Sequence, residues 1–243
     1  MALNLDKVRV IYFDIDNTLV DHSGAEKRAI ALLLEQFSHD FSHSSLEKFS
    51  THYKHINEKY WRRLASGELT VEQMRTQRFV SMLEEFSGHS HAIIQELAPI
   101  MGNQYLDNYE LFWELNDGAS KAIESASQMA PLGLLSNGFR LQVLRKIKQF
   151  GWNDIFEHVV ISEDVGVMKP HLEIFNHAMK ISGINNPHEM LYIGDHYDSD
   201  IIGASNAGWQ TVWVNLHLET KPDNRANEEI TSIAQIQQLI LKH

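Results

Sequence analysis

The sequence predicts an α/β fold: a parallel β-sheet with helices on both faces, and an all-helical domain inserted after the first strand. A short apolar run rich in β-branched and aromatic residues lies at Val8–Phe13, which is typical of a strand buried on both faces. The stretch from about residue 21 to residue 109 carries only helical periodicity. Beyond about residue 115, apolar runs alternate with amphipathic helical patterns, which is the rhythm of parallel βα units.

The inserted segment contains four helical patterns. They read AEKRAIALLLEQF, SLEKFSTHYKHINEKYWRRLA, TVEQMRTQRFVSMLEEF and SHAIIQELAPIMGNQYLDNYELF, with breaks at Ser66-Gly67 and Ser87-Gly88. Because a lone strand is not stable, Val8–Phe13 must belong to the sheet that the later strands form. We therefore expect residues 1–19 and 112–243 to form the core domain and residues 20–111 to form the inserted helical domain.

The second half of the chain supplies the other strands and helices. Four predicted helices read DGASKAIESASQM, RLQVLRKIKQFG, HLEIFNHAMKISG and DIIGASNAG, and the strands that follow them in turn read PLGLLS, HVVIS, MLYIGD and QTVWVN. A last helix, SIAQIQQLILK, closes the chain. The polar segment HLETKPDNRANEE, residues 217–229, is predicted to be a surface loop.

Composition narrows the class of protein. There are 21 Lys and Arg residues against 32 Asp and Glu residues, a net charge of −11 with His neutral, which argues against a nucleic-acid polymer as partner. The chain has no Cys, so a disulfide, a thiolate zinc site and a Cys nucleophile are excluded. No segment approaches the roughly 18 apolar residues of a membrane span, and the start MALNLDKVRV lacks the apolar core of a signal peptide. We expect a cytoplasmic protein without a membrane partner, either a monomer or a homodimer.

Polar residues follow several of the predicted strands. They are Asp14 and Asp16 after the first strand, Ser136 and Asn137 after LGLL, Lys169 in the loop after VVIS, and Asp195, Asp198 and Asp200 after LYI. In open α/β sheets, ligands bind at the carboxyl ends of the strands. Carboxylate oxygens bind Mg²⁺, which takes further oxygens from water and from a substrate phosphate. The pattern therefore predicts a site for a cation and a phosphate group.

Each of these motifs has an ordinary structural interpretation when taken alone. A single Asp-x-Asp-x-Thr sequence is more often a helix cap or a solvated turn. Ser136-Asn137-Gly138 is typical of a turn before a helix, and a single lysine such as Lys169 is usually at the surface. GDHYDSD resembles a loose calcium loop but lacks the EF-hand glycine and final glutamate. Their order at successive strand ends favours one shared site.

The motifs DIDNT, LSNG, KP and GDHYDSD, in this order, resemble those of the haloacid dehalogenase superfamily of phosphohydrolases. The resemblance implies a Rossmann-like parallel core and a helical C1-type cap, which corresponds to the inserted domain. The stretches YWRRLASGELTVEQMRTQRF, LLSNGF and ISEDVGVMKPHLEIF are similar to bacterial pyrimidine 5′-nucleotidases of this superfamily.

The chemistry of the residues and the resemblance imply the same catalytic roles. Asp14 would be the nucleophile that forms an aspartyl-phosphate. Asp16 would protonate the leaving oxygen and then activate water. The implied cofactor is Mg²⁺, bound by Asp14, by the backbone carbonyl of Asp16 and by Asp195.

Other motif residues would bind the phosphate group or support the residues that do. Lys169, Ser136 and Asn137 would bind the phosphoryl oxygens and stabilise the charge of the transition state. Asp200 would support Lys169 and the water shell of the metal. Gly194 would let the backbone pass close to the site, and Thr18 completes the first motif.

Candidates for substrate specificity lie in the helical domain and are less well defined. Trp61, Arg62 and Phe79 are named for this role, although an aromatic stripe at helical spacing more often forms a core, and an arginine pair more often faces solvent. His39 with His43 and His52 with His55 have spacings that can bind zinc, but no third ligand is evident. The roles of these histidines and of Asp198 stay open.

The sequence thus favours an enzyme, a Mg²⁺-dependent phosphomonoesterase that acts on a small substrate, with pyrimidine nucleoside 5′-monophosphates preferred. The alternative substrates are a sugar phosphate or an acylneuraminate phosphate. A 2-haloacid dehalogenase shares the fold, but it has no leaving oxygen to protonate and needs no metal, so Asp16 and the last acidic motif argue against it. A binding module without activity would lack a motif residue, and none is missing.

Overall fold

Six parallel strands form one sheet in the computed structural model, which describes residues 2–41, 46–221 and 223–241. The strands are β1 (Val10–Phe13), β2 (Leu132–Ser136), β3 (Phe156–Ile161), β4 (Met190–Gly194), β5 (Gln210–Val214) and β6 (Glu228–Ile230). They lie side by side in the order β3-β2-β1-β4-β5-β6. The chain therefore adds β2 and β3 on one side of β1 and then adds β4, β5 and β6 on the other side.

Ten α-helices accompany the strands in the described part of the chain. They are α1 (His22–Gln36), α2 (Leu46–Ala65), α3 (Val71–Phe86), α4 (His91–Leu111), α5 (Ala119–Met129), α6 (Arg140–Gln149), α7 (Ser162–Val165), α8 (Leu172–Ile181), α9 (Gly203–Asn206) and α10 (Gln235–Leu241). A π-helical turn, Tyr197–Ile202, leads directly into α9. Contacts divide the chain into two compact units, Met1–Asp21 with Glu114–His243, and His22–Trp113.

The first unit, which contains the sheet, has a hydrophobic core on each face. Along β1, Ile11 and Phe13 pack with α5, α6 and α10, whereas Val10 and Tyr12 pack with α8 and α9 on the opposite face. All four β1 residues are buried, which explains why a strand with two covered faces reads as a continuous apolar run. The predicted α/β fold, a parallel sheet with helices on both faces, is confirmed.

The second unit consists of α1 to α4 and has an aromatic core. Tyr53, Phe79 and Tyr105 come from three different helices, and their ring centroids lie 5.3 to 5.7 Å apart. The start of α3 is defined by a capping box, in which Thr70 accepts from the backbone N–H of Gln73 and the Gln73 side chain accepts from that of Thr70. This pairing satisfies two N–H groups that an uncapped helix leaves open.

One strand was not predicted. The segment 217–229, interpreted as a loop, ends in the first two residues of β6, Glu228 and Glu229. They are exposed and only Ile230 is buried, so the segment carries no apolar pattern. Its pairing with β5 depends on the backbone, as when the N–H of Asn215 donates to the carbonyl of Ile230 at 2.7 Å.

The long helices differ in composition from membrane spans. Among residues 2–41, 46–221 and 223–241, none of them joins sufficient length to the apolar character that crossing a bilayer requires.

Candidate active site

The site lies beside β1, at the point in the sheet where the strand order reverses. β1 pairs with β2 on one side and with β4 on the other, and such a switch point opens a crevice at the carboxyl ends of the strands. Phe13 lies beside Ile193 in the register, and the N–H of Asp14 donates to the Ile193 carbonyl at 2.9 Å. This backbone bond fixes Asp14 next to the loop that carries Asp195.

Three carboxylates meet in this crevice. Asp14, Asp195 and Asp200 each offer an oxygen within 4.8 Å of the oxygens of the other two, and it is the one group of at least three such ligands in the described residues. Asp14 and Asp200 are buried and Asp195 is half-buried. Carboxylates this close repel one another strongly unless positive charge lies among them.

Lys169 supplies part of that positive charge. Its Nζ lies 2.6 Å from Oδ1 of Asp14 and 2.8 Å from Oδ1 of Asp200. It also donates to the hydroxyl of Tyr192 at 2.7 Å, and this hydroxyl donates to the Leu135 carbonyl at 2.8 Å. All three donor positions of the ammonium group are used, so its orientation in the site is fixed.

The Lys169 backbone is held by Asn137. The Asn137 amide donates to the Lys169 carbonyl at 3.0 Å, and its Oδ1 accepts from the Lys169 N–H at 2.8 Å. This reciprocal pair joins the loop after β2 to the loop between α7 and α8. It gives Asn137 a supporting contact in addition to the phosphate contact that the sequence predicts.

Burial and like charge disturb the protonation of the cluster. Burial is the largest cause that raises the pKa of Asp14, Lys169 lowers it and the Asp200 carboxylate raises it, so that the net pKa is about 7. The pKa of Asp195 is also well above its usual value, because of burial and then of Asp14 and Asp200. For Lys169, burial lowers the pKa, but attraction to Asp14 and Asp200 is larger and the net pKa is raised.

The supporting residues Thr18, Gly194 and Asp200 have clear contacts. The Thr18 hydroxyl donates to Oδ1 of Asp195 at 3.2 Å, and the Trp213 indole donates to the Asp195 carbonyl at 2.8 Å. A Cβ on Gly194 would collide with the carboxylate of Asp200, so only glycine lets the two lie so close. Oδ2 of Asp200 accepts from the His196 N–H at 3.0 Å, which ties the carboxylate to its own loop.

Ser136 ends β2 and is buried. Its Oγ accepts a hydrogen bond from the N–H of Gly138 at 3.0 Å, so its hydroxyl is oriented by the turn that follows the strand. Its role in phosphate binding stays a prediction.

Asp16 has a partner that the sequence analysis missed. Its carboxylate is not part of the group formed by Asp14, Asp195 and Asp200, and its Oδ1 forms an ion pair with Nζ of Lys146 on α6. Val143, Lys146 and Ile147 are the buried residues of α6. One feature of the sequence could have indicated this pair: Lys146 stands at a helix position where the apolar pattern predicts a core residue.

The three candidates for substrate specificity differ in how far they are buried. Trp61 is half-buried and Arg62 is exposed. Phe79 is fully buried, packed against Tyr53 and Tyr105, which favours a role in the core of the helical unit over a contact with substrate. Its apolar ring fills the core of the helical unit, as the stripe of aromatic residues at helical spacing also allowed.

The histidine pairs do not form a metal site in the described residues. His39, His52 and His55 belong to no group with three ligand atoms in reach of one another, and His43 lies outside the described residues. Asp198 is exposed and does not belong to the carboxylate group.

The fold and the site together define an α/β enzyme whose carboxylates meet at the switch point of a parallel sheet. The chain belongs to the family of haloacid dehalogenase-like hydrolases, because the sequence profile of that family matches residues 8–208. The resemblance drawn from the four motifs is thereby confirmed, and the protein is a hydrolase.

Individual relatives cover nearly the whole chain. The pyrimidine 5′-nucleotidase YjjG of Escherichia coli is 28% identical over 96% of this chain and 98% of its own. A glyceraldehyde 3-phosphate phosphatase of Methanothermobacter thermautotrophicus is 26% identical over 96% of this chain and 98% of its own. The magnesium-bound structure of the hydrolase YfnB from Bacillus subtilis superposes with a TM-score of 0.80, at 26% identity over 96% of this chain and 98% of that one.

Proposed function

We propose that this hydrolase is a Mg²⁺-dependent phosphomonoesterase that acts through an aspartyl-phosphate, with pyrimidine nucleoside 5′-monophosphates as its preferred substrates. The observation that carries the proposal is the group of Asp14, Asp195 and Asp200 around Lys169. Carboxylates for a cation, an ammonium group for a phosphate and a nucleophile at a strand end are the parts that phosphoryl transfer requires.

The chemistry of the donor set fits a hard divalent cation. Three carboxylates face a single ammonium group in a largely buried crevice, and burial raises the pKa of Asp14 and of Asp195. Asp14, Asp195 and the Asp16 carbonyl would hold Mg²⁺ directly, and Asp200 would support the site through Lys169 and the water shell. When bound, the ion offsets the negative charge of the crevice and polarises the phosphoryl group.

The residues of this chain divide the reaction into two displacements. Asp14 attacks phosphorus and forms a new P–O bond while the bond to the leaving oxygen breaks, and Asp16 gives that oxygen its proton. Asp16 then takes a proton from a water molecule that attacks phosphorus, and the bond to Asp14 breaks. Ser136 and backbone N–H groups hold the phosphoryl oxygens throughout, and the positive charge of Lys169 stabilises the negative charge on them.

The preference for nucleotides is supported by the relative from Escherichia coli, whose name gives pyrimidine nucleotides as its substrates. The catalytic residues contact the phosphate group only, so selection among leaving groups requires other residues. Half-buried Trp61 and exposed Arg62 of the helical unit, which would act as the cap, are the remaining candidates. A sugar phosphate is the second candidate, because another relative is named as a glyceraldehyde 3-phosphate phosphatase.

The test is a phosphate-release assay with Mg²⁺ over a panel of nucleotides, triose and hexose phosphates and an acylneuraminate phosphate. We expect kcat/KM to be highest for the 5′-monophosphates of uridine, deoxyuridine and thymidine, and lower for purine nucleotides. A tenfold preference for a sugar phosphate would reject the nucleotide preference alone. No phosphate release from any ester would reject the proposed phosphatase.

A further inference from the structure

The buried lysine on α6 stands out from its surroundings. Lys146 is only 1% exposed, and it lies between Val143 and Ile147 on the face of the helix that packs against the sheet. Burying an ammonium group costs free energy that an apolar side chain at the same place would not cost. The fold therefore does not explain why this position carries a charge.

The partner of the lysine is the carboxylate of Asp16. Nζ of Lys146 forms an ion pair with Oδ1 of Asp16. The Asp16 side chain is 29% exposed, whereas the side chain of Asp14 is 10% exposed. The ion pair thus anchors one oxygen of Asp16 and leaves part of the carboxylate accessible.

Two lysines form ion pairs with different carboxylates of the motifs. Lys169 pairs with Asp14 and Asp200, and Lys146 pairs with Asp16. Loss of the Lys146 ammonium group would remove the cation that orients Oδ1 of Asp16. A carboxyl group that delivers a proton, and as a carboxylate later takes one from water, must lie within hydrogen-bond reach of the reacting oxygen, so its rotamer has to be fixed.

We propose that Lys146 is a positioning residue for catalysis, whose ammonium group holds the Asp16 carboxylate in the orientation that serves the leaving oxygen. This inference rests on the proposed function, which assigns proton transfer to Asp16. Lys146 itself does not contact the substrate, and its catalytic effect passes through Asp16.

The test uses Lys146→Met, which keeps an unbranched side chain of nearly the same length and removes its charge. Two substrates are compared: the best alkyl ester of the panel, and p-nitrophenyl phosphate, whose leaving group needs little protonation. We measure kcat/KM, which covers binding through cleavage of the ester and omits the later hydrolysis step. Lys148→Met, an exposed neighbour on the same helix, is the matched control.

We expect Lys146→Met to lower kcat/KM by about 100-fold for the alkyl ester, within the usual contribution of a positioned acid, and much less for p-nitrophenyl phosphate. Lys148→Met should change neither. In an Asp16→Asn background, Lys146→Met should have almost no further effect, because residues that act through one group are not additive. The melting temperature should fall only modestly, because the Asp16 side chain that loses its partner is 29% exposed and water can solvate its charge.

The inference would be overturned if Lys146→Met lowered kcat/KM equally for both substrates. It would also be overturned if Lys146→Met lowered kcat/KM as much in the Asp16→Asn background as in the wild type. If Lys146→Met does not fold, Lys146→Gln is measured in the same way. Failure of both to fold would assign the lysine to the core and also overturn the inference. A wild-type protein that hydrolyses no phosphomonoester would instead reject the proposed function, so the two failures are distinct.

Discussion

Nζ of Lys169 lies 2.6 Å from Oδ1 of Asp14, and both side chains are shielded from solvent. The ammonium group is oriented by Asp200 and Tyr192 as well, so it is already in place before a substrate binds. Such a preorganised charge stabilises a transition state without first having to reorient. Among the carboxylates of the crevice, Asp14 is therefore the one whose substitution has the clearest expected effect.

Asp14→Asn keeps the shape of the side chain and removes the attacking carboxylate. We expect turnover of every phosphomonoester, including p-nitrophenyl phosphate, to fall by several orders of magnitude. In metal-free protein the melting temperature should hold or rise, because one like charge leaves the group that contains Asp195 and Asp200. Near-normal turnover would place the nucleophile elsewhere, and a collapse of the melting temperature would make the activity loss uninformative.

Magnesium should stabilise the protein more at higher pH. Burial raises the pKa of Asp14 to about 7 and raises that of Asp195, so these carboxyl groups hold more protons in the folded protein than in the unfolded chain. Their contribution in metal-free protein therefore favours unfolding increasingly as pH rises from about 4 toward 7. A cation needs them deprotonated.

This metal linkage can be measured by melting curves with Mg²⁺ and with EDTA at pH 5.5 and pH 7.5. The rise in melting temperature on adding Mg²⁺ should be larger at pH 7.5, and Asp195→Asn should reduce it at both. Other groups that titrate in this range affect the melting temperature with Mg²⁺ and with EDTA alike, so their contribution largely cancels when the two values at one pH are subtracted. Phosphatase activity should vanish in EDTA and return with Mg²⁺, whereas full activity in the chelator would contradict a metal-dependent reaction.

Asn137→Ala should separate positioning of Lys169 from folding. It removes both hydrogen bonds between Asn137 and the Lys169 backbone, each of which contributes about 1 kcal/mol to stability. We expect a small drop in melting temperature and a larger drop in kcat, since the ammonium group loses its fixed place. Asn186→Ala, in a turn far along the chain where the side chain caps a short 3₁₀-helix, is the control and should leave kcat unchanged.

The sequence predicted those parts of the molecule that depend on local pattern. The fully buried strands were recognised because they read as continuous apolar runs, and the motif acids were placed together because parallel strands share an edge. The pairing of Lys146 with Asp16 joins residues 130 positions apart, so no local pattern records it. The short strand β6 was missed because its pairing uses the backbone. The burial of Phe79 could not be predicted, because helical spacing does not distinguish a core face from a binding face.

Gly194→Ala should disable the site through a steric clash. A Cβ at this position would collide with the Asp200 carboxylate, whereas a Cβ at Gly183 would meet nothing within 4 Å. We expect Gly194→Ala to lose most activity and Mg²⁺ stabilisation, because Asp200 must move away from Lys169. Gly183 has a positive φ of 68°, so Gly183→Ala serves as a control for backbone strain: some stability should be lost, but activity per folded molecule should not.

The helical unit offers a contrast between two aromatic residues of neighbouring helices. Trp61 is half-buried on α2, and Phe79 is fully buried on α3. If Trp61 covers the leaving group, Trp61→Ala should lower kcat/KM for pyrimidine nucleotides while p-nitrophenyl phosphate is turned over nearly as before. Phe79→Ala should instead destabilise the protein by about 3–5 kcal/mol, as large-to-small changes in a core do, and its effect on selectivity should be small. Equal losses by Trp61→Ala on both substrates would show that Trp61 supports the fold and that the base is recognised elsewhere.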